Sequence, residues 1–191
     1  MTSRLKPTLS SNDFTRLPAR YTHTAIALHW LMAVMIICSF ALGVTMVNIP
    51  GLTPTKLKYF SWHKWLGVTI LTLACVRLLW RLSHRAPAPL SSSPRWQQNA
   101  AHAVHTLLYV LIFAVPLSGY CFSLASGVPV VYLGLLPLPV LFGPDPVLKP
   151  ILQLLHYSLN LTLLLAVGLH IGATLQHHFI HRDDTLKRML P

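Results

Sequence analysis

Four stretches of this chain are apolar on every side a helix could present. Residues 24–47, 61–82, 100–124 and 150–178 lack the regular polar stripe that faces water on a soluble helical protein. Each is long enough to cross about 30 Å of hydrocarbon as a helix. The pattern predicts an all-α integral membrane protein, a bundle of four spanning helices forming one domain over residues 23–191. A fifth apolar stretch, residues 128–142, is shorter and holds Pro129, Pro137 and Pro139, which break a spanning helix. It is expected to be an interfacial or re-entrant loop. Pro116, inside the third stretch, predicts a kink that packed neighbours tolerate.

The basic residues then orient the bundle. Arg4, Lys6, Arg16 and Arg20 precede the first span, Arg77, Arg81, Arg85 and Arg95 lie at or between the second and third, and Arg182, Lys187 and Arg188 follow the fourth. The opposite side holds only Lys56, Lys58, Lys64 and Lys149. Eleven against four predicts both termini in the cytoplasm, with the loop between the last two spans outside. Residues 1–22, polar and basic with Pro7 and Pro18, are expected to form a disordered cytoplasmic arm. No small-residue cleavage site follows a short hydrophobic core, so the first span is expected to be an uncleaved anchor.

Composition removes several function classes. Apolar residues make up 53% of the chain and charged ones 10%, which leaves a soluble domain too little polar surface. The expected partner is therefore the lipid bilayer and not nucleic acid. The only acids are Asp13, Asp145, Asp183 and Asp184, with no glutamate, so a carboxylate-bridged metal pair has almost nothing to build with. Cys38, Cys75 and Cys121 lie in apolar stretches and read as small hydrophobes, without a disulfide framework or a Cys-x-x-Cys motif.

The histidines carry the candidate chemistry. His156 and His170 lie fourteen residues apart in the fourth span. At about 1.5 Å and 100° per residue they are separated by about 21 Å on nearly one helix face. That spacing suits two stacked haems, one towards each membrane surface. Neutral imidazole is a strong axial ligand, and two of them give a six-coordinate iron suited to electron transfer. His29 and His63 lie at ends of apolar stretches where they can supply the opposite ligands. The topology pairs His29 with His170 and His63 with His156, the four expected metal ligands. The competing reading is four helix-end histidines solvated at the interface. Ionisable residues within spans are costly and usually functional, and four at matched depths favour ligands. No catalytic acid, base or nucleophile is singled out.

Other residues keep two readings each. His102 and His105 share a face at the start of the third span and compete with His29 as partner of His170. Gly168, Gly172 and Gly67, near the histidines, allow a porphyrin to lie close, or serve ordinary helix packing. Arg77, deep in the second span but within snorkelling reach of the surface, is a counter-charge for a haem propionate or quinone oxygen, or a plain anchor. The outer lysines either attract a small anion or only solvate a loop.

Six pieces in order carry a family resemblance: Leu28-His29-Trp30; His63 followed by Gly67; residues 76–82 around Arg77; residues 101–105 with both histidines; His156 with His170; and His177-His178 followed by Asp184-Thr185-Leu186-Lys187-Arg188-Met189. Over about residues 21–191 the chain resembles the bacterial cytochrome b561 group of dihaem membrane proteins, related to the cytochrome b subunits of nickel-iron hydrogenases and formate dehydrogenases. The resemblance implies two b haems, electron transport in the respiratory chain, and ubiquinone as substrate. It is greatest to the family's stand-alone superoxide:ubiquinone oxidoreductase type, which implies a small anionic donor at the outer face. It also implies that His177 and His178 lie near a cytoplasmic quinone site. A relay subunit anchoring a peripheral dehydrogenase or hydrogenase is the alternative within the family. A non-haem iron enzyme would need more histidines outside the spans. Whether two bundles pair as a homodimer stays open.

Overall fold

A computed structural model describes residues 20–87 and 94–191, so most of the expected N-terminal arm lies outside the described residues. Four long helices account for the apolar stretches: α1 (His23–Asn48), α2 (Pro54–Ser83), α3 (Arg95–Ala125) and α4 (Leu148–Gln176). All four are long and apolar enough to cross a membrane. An even number of spans puts the start of α1 and the end of α4 on one side, the terminal side. The other is the hairpin side, because the loop before α4 carries a short antiparallel pair, β1 (Val131–Tyr132) and β2 (Leu136–Pro137).

Local chemistry sets the helix ends. Thr22 accepts from the Ala25 amide at 3.3 Å to start α1. The Lys56 ammonium donates to the Ile49 carbonyl at 2.7 Å at the far end of the same helix, where the dipole is negative. α2 begins seven residues before the apolar run does, because Thr53 caps the Lys56 amide at 3.2 Å and Pro54 occupies the first turn. α3 ends in a glycine cap, in which the Val128 amide reaches the Ser123 carbonyl at 3.0 Å and the Gly127 amide reaches Leu124 at 2.9 Å. Gly127 has φ +74°, and this backbone conformation favours glycine. Asp145 then starts α4 by accepting from the Val147 and Leu148 amides at 2.8 and 2.9 Å.

The hairpin is the element the apolar pattern did not specify. Leu133 and Gly134 at φ 53° and 75° form the tight turn, closed by the Leu135 amide on the Tyr132 carbonyl at 3.0 Å. Its backbone folds against α2. The Trp65 indole donates to the Val131 carbonyl at 2.8 Å, and Thr69 Oγ1 and the Tyr132 hydroxyl lie 2.9 Å apart. Thr69 is six residues further into α2 than His63, so the hairpin lies alongside the helix past the level of His63. Leu133, Leu135 and Leu136 point outwards from it.

The packing is inverted relative to a soluble protein. Large apolar side chains such as Ile37, Leu79, Leu161 and Leu165 are exposed, and the buried core is small. That surface faces lipid. Contacts run from α1 to α2, α2 to α3 and α3 to α4, while α4 does not pack closely along α1 or α2. The core forms two adjoining clusters, Met32, Ile70, Ala74 and Ile112 in one and Leu111, Leu163 and Ala166 in the other, with Ile36 touching both. The three cysteines are free.

Candidate functional site

The apolar clusters occupy the middle of the bundle and leave a polar layer on each side. On the hairpin side the His63 and His156 rings face each other with centroids 6.4 Å apart. On the terminal side His29 and His170 do the same at 6.2 Å. The rings of each pair cross steeply, at 84° and 71°. Each partner comes from a different helix, α1 or α2 against α4, across the gap that close packing does not fill.

One register repeats on all four helices. His29 and Gly43 on α1, His63 and Arg77 on α2, His105 and Gly119 on α3, and His156 and His170 on α4 are each fourteen residues apart. Fourteen residues return a helix to nearly the same face about 21 Å along. The hairpin-side layer therefore combines two histidines with two glycines, and the glycines make room for the rings. A Cβ on Gly119 would lie 2.9 Å from His156 Cε1, and one on Gly43 would lie 3.3 Å from His63 Cε1. The terminal-side layer holds three histidines and an arginine. Of the glycines expected to admit a porphyrin, Gly67 faces Pro116 on α3 at 4.0 Å, an ordinary packing contact, while Gly168 and Gly172 face open space.

Hydrogen bonds fix the hairpin-side tautomers. His63 Nδ1 lies 2.9 Å from the Ser39 carbonyl and 3.3 Å from the Ser39 hydroxyl. His156 Nδ1 lies 2.9 Å from Ser118 Oγ and 3.1 Å from the Val115 carbonyl, to which the Ser118 hydroxyl itself donates at 2.8 Å. A carbonyl can only accept, so in each ring Nδ1 carries the hydrogen and Nε2 keeps its lone pair. That is the state in which imidazole binds a metal.

The terminal-side layer has a cation in place of these acceptors. Arg77 donates to the Tyr109 hydroxyl at 3.3 Å, and its guanidinium lies 5.8 Å from the centre of that ring. It lies in the same layer as His29, His105 and His170. His105 sits edge-on to His170 with centroids 5.3 Å apart. His102, one turn nearer the helix start, is exposed.

Past His170 the helix widens into a π-helical turn, His177–His181. His177 Nδ1 and Asp183 Oδ2 are 2.5 Å apart, and the His177 and His181 rings lie 5.2 Å apart. His178 packs on Phe179. Burial works against ionisation of Asp183, but hydrogen bonds from Thr185 and His177 outweigh it and hold the carboxyl below its ordinary range. The chain then turns back over the terminal side. The Met189 carbonyl accepts from the Trp30 indole at 2.7 Å, and Arg20 donates to the Lys187 and Leu190 carbonyls at 3.1 and 2.9 Å. Trp30 thus joins the last residues of the chain to the helix turn that bears His29.

At the hairpin end, Lys64 lines a cleft of about 270 Å³ with Ser61, Trp65 and the strand β1. Lys58 lies over the Trp62 ring at 4.9 Å. Lys56 is engaged at the end of α1.

The paired histidines fit an axially ligated iron. Two imidazoles on opposite sides of one metal, with bonds of about 2 Å, hold their ring centroids about 6 Å apart. The His29–His170 and His63–His156 spacings match that span, and the His105–His170 spacing falls short of it.

Comparison with known proteins identifies the family. The family model for prokaryotic cytochrome b561 matches residues 20–191. Cytochrome b561 homolog 2 of Escherichia coli (strain K12) is 36% identical over 178 residues, which cover 93% of this chain and 95% of that protein. Cytochrome b561 homolog 1 of the same organism is 28% identical over 172 residues, covering 90% and 97%. A Yersinia pestis protein named probable superoxide oxidase CybB is 27% identical over 176 residues, covering 90% and 96%. The chain belongs to the prokaryotic cytochrome b561 family, membrane proteins of electron transfer, and that membership implies b-type haem.

Proposed function

We propose that this cytochrome b561 carries electrons through the bilayer from a donor at the outer face to the quinone pool, using two b haems. His63 and His156 would hold one and His29 and His170 the other. The observation that carries this reading is the pair of matched histidine spacings at two depths, 6.4 and 6.2 Å. Bound haem supplies a one-electron centre. The protein holds the His63 and His156 rings with their metal-binding nitrogens free, separates the two layers with an apolar plug, and offers Arg77 to a propionate.

Superoxide is the favoured donor. Its support is the name of the 27% identical relative and the lysines at the hairpin end. Two superoxide anions each lose one electron and leave as dioxygen, while ubiquinone gains two electrons and two protons to become the quinol. His177 and His178 are the groups proposed to hydrogen-bond the quinone. Asp183 supports this for His177, because an anionic carboxylate at 2.5 Å fixes the orientation of the ring. Purified protein should reduce a soluble ubiquinone analogue with superoxide, and failure to form quinol while both haems are present would remove superoxide as the donor.

The charge field gives a second check. The Debye length falls from about 30 Å at 0.01 M salt to about 8 Å at 0.15 M, so reduction by superoxide should slow markedly over that range. Lys58→Gln with Lys64→Gln should slow it at low salt and flatten the salt dependence, leaving haem content unchanged. Equal low-salt rates for the wild type and the double variant would return these lysines to plain solvation.

The same reading puts the terminal side in the cytoplasm, where eleven of the basic residues lie. A C-terminal fluorescent fusion should be bright, and a C-terminal reporter active only in the periplasm would invert the bundle.

A further inference from the structure

The two histidine layers differ in what surrounds their rings, and the difference bears on the two reduction potentials. On the hairpin side both rings donate Nδ1–H to backbone carbonyls, and His156 also to Ser118. Such bonds raise the basicity of the coordinating nitrogen. A more basic axial ligand favours the ferric state, which lowers the reduction potential. On the terminal side, Arg77 is held by Tyr109 and shares its layer with His29, His105 and His170. A fixed positive charge in a low-dielectric layer opposes the extra charge of ferric iron and raises the potential. Lys64, the nearest cation in sequence to His63, turns into the cleft beside Ser61 and Trp65 instead. Both effects act in the same sense.

We propose that this asymmetry makes the hairpin-side haem the lower-potential one, with Ser118 and Arg77 as the positioning residues that set the difference. The proposal rests on the two-haem reading above and deepens it by naming the residues that set the two potentials. With both haems bound, each would exchange one electron at a time, and Ser118 and Arg77 would bias where it rests without moving a proton or breaking a bond.

Ser118 is the sharper test because Ser39, beside the opposite ring, offers a control. Ser118→Ala removes one of the two acceptors of His156 Nδ1–H. Ser39→Ala removes a hydroxyl at 3.3 Å but leaves the carbonyl that takes the His63 hydrogen at 2.9 Å. The experiment is a spectroscopic redox titration of the purified protein, with a His156→Ala variant identifying the hairpin-side signal. In the wild type that signal should titrate at the lower potential. In Ser118→Ala the share of an electron resting on the hairpin-side haem should rise about fivefold, a shift of about 40 mV at 59 mV per decade. Ser39→Ala should stay near wild type, Ser118→Thr should restore the lower value, and Arg77→Gln should lower the terminal-side potential. A hairpin-side haem of higher potential in the wild type, or equal shifts in Ser118→Ala and Ser39→Ala, would overturn the proposal. Fewer than two haems in the wild type would overturn the two-haem reading itself, a failure distinguishable from the others before any titration begins.

Discussion

Replacing His156 with alanine should leave a protein with one haem in place of two. The variant loses the hairpin-side signal and keeps the terminal-side one. Replacing His170 should do the reverse. The basis is depth: the two residues lie on one face of α4 but fourteen residues apart, with Leu159, Leu163 and Ala166 packed between them. A vacancy in one layer therefore has no direct route to the other. The same logic separates His29 from His105. His29 lies 6.2 Å from His170, the span of an iron between two imidazoles, while His105 lies at 5.3 Å, beside that axis. His29→Ala should lose the terminal-side haem, and His105→Ala should retain two. Haem per polypeptide, measured as the pyridine haemochrome, together with the spectrum of the reduced protein, decides the matter. Loss of the opposite haem in either α4 variant would sink the pairing. Loss of a haem in His105→Ala but not in His29→Ala would pass the ligand role to α3.

What could be read from residue type was the part of this protein in which residue type alone is decisive. Apolar runs of spanning length specify four helices whatever their packing, and the four helices appear within a few residues of the apolar runs, except at the start of α2. There the Thr53–Pro54 cap and two opening turns carrying Lys56 and Lys58 extend the helix beyond its apolar run. The strand pair at Val131–Tyr132 and Leu136–Pro137 could not be read, because the turn places Leu133 at φ 53°, a conformation for which leucine gives no signal. At the site, the fourteen-residue spacing was legible only on α4, where both positions are histidine. On the other helices the same register pairs unlike residues, histidine with glycine or arginine, and no chemical pattern links them. Ser39 and Val115 were invisible for a different reason. They act through backbone carbonyls, which every residue has.

Gly119 should then prove as sensitive as a histidine. A Cβ at this position would meet His156 Cε1 at 2.9 Å and Nδ1 at 3.2 Å. Separations under about 3 Å are not accommodated in a packed interior without a shift. The neighbour is not the loose end of a flexible chain. It is a ring held by Ser118 and the Val115 carbonyl, so it can move only by giving up the hydrogen bonds that orient its Nε2. Gly119→Ala should therefore displace the ring and empty or distort the hairpin-side haem site while the terminal-side haem stays. Gly67→Ala is the control. It lies in the neighbouring helix with Pro116 at 4.0 Å, an ordinary contact, and it should keep both haems. Helix propensity favours alanine over glycine by about 1 kcal/mol in both cases, so a general weakening of the helix cannot account for a difference between them. Two haems with an unaltered spectrum in Gly119→Ala would mean that His156 has room to yield, and that the ring is not held where its hydrogen bonds place it.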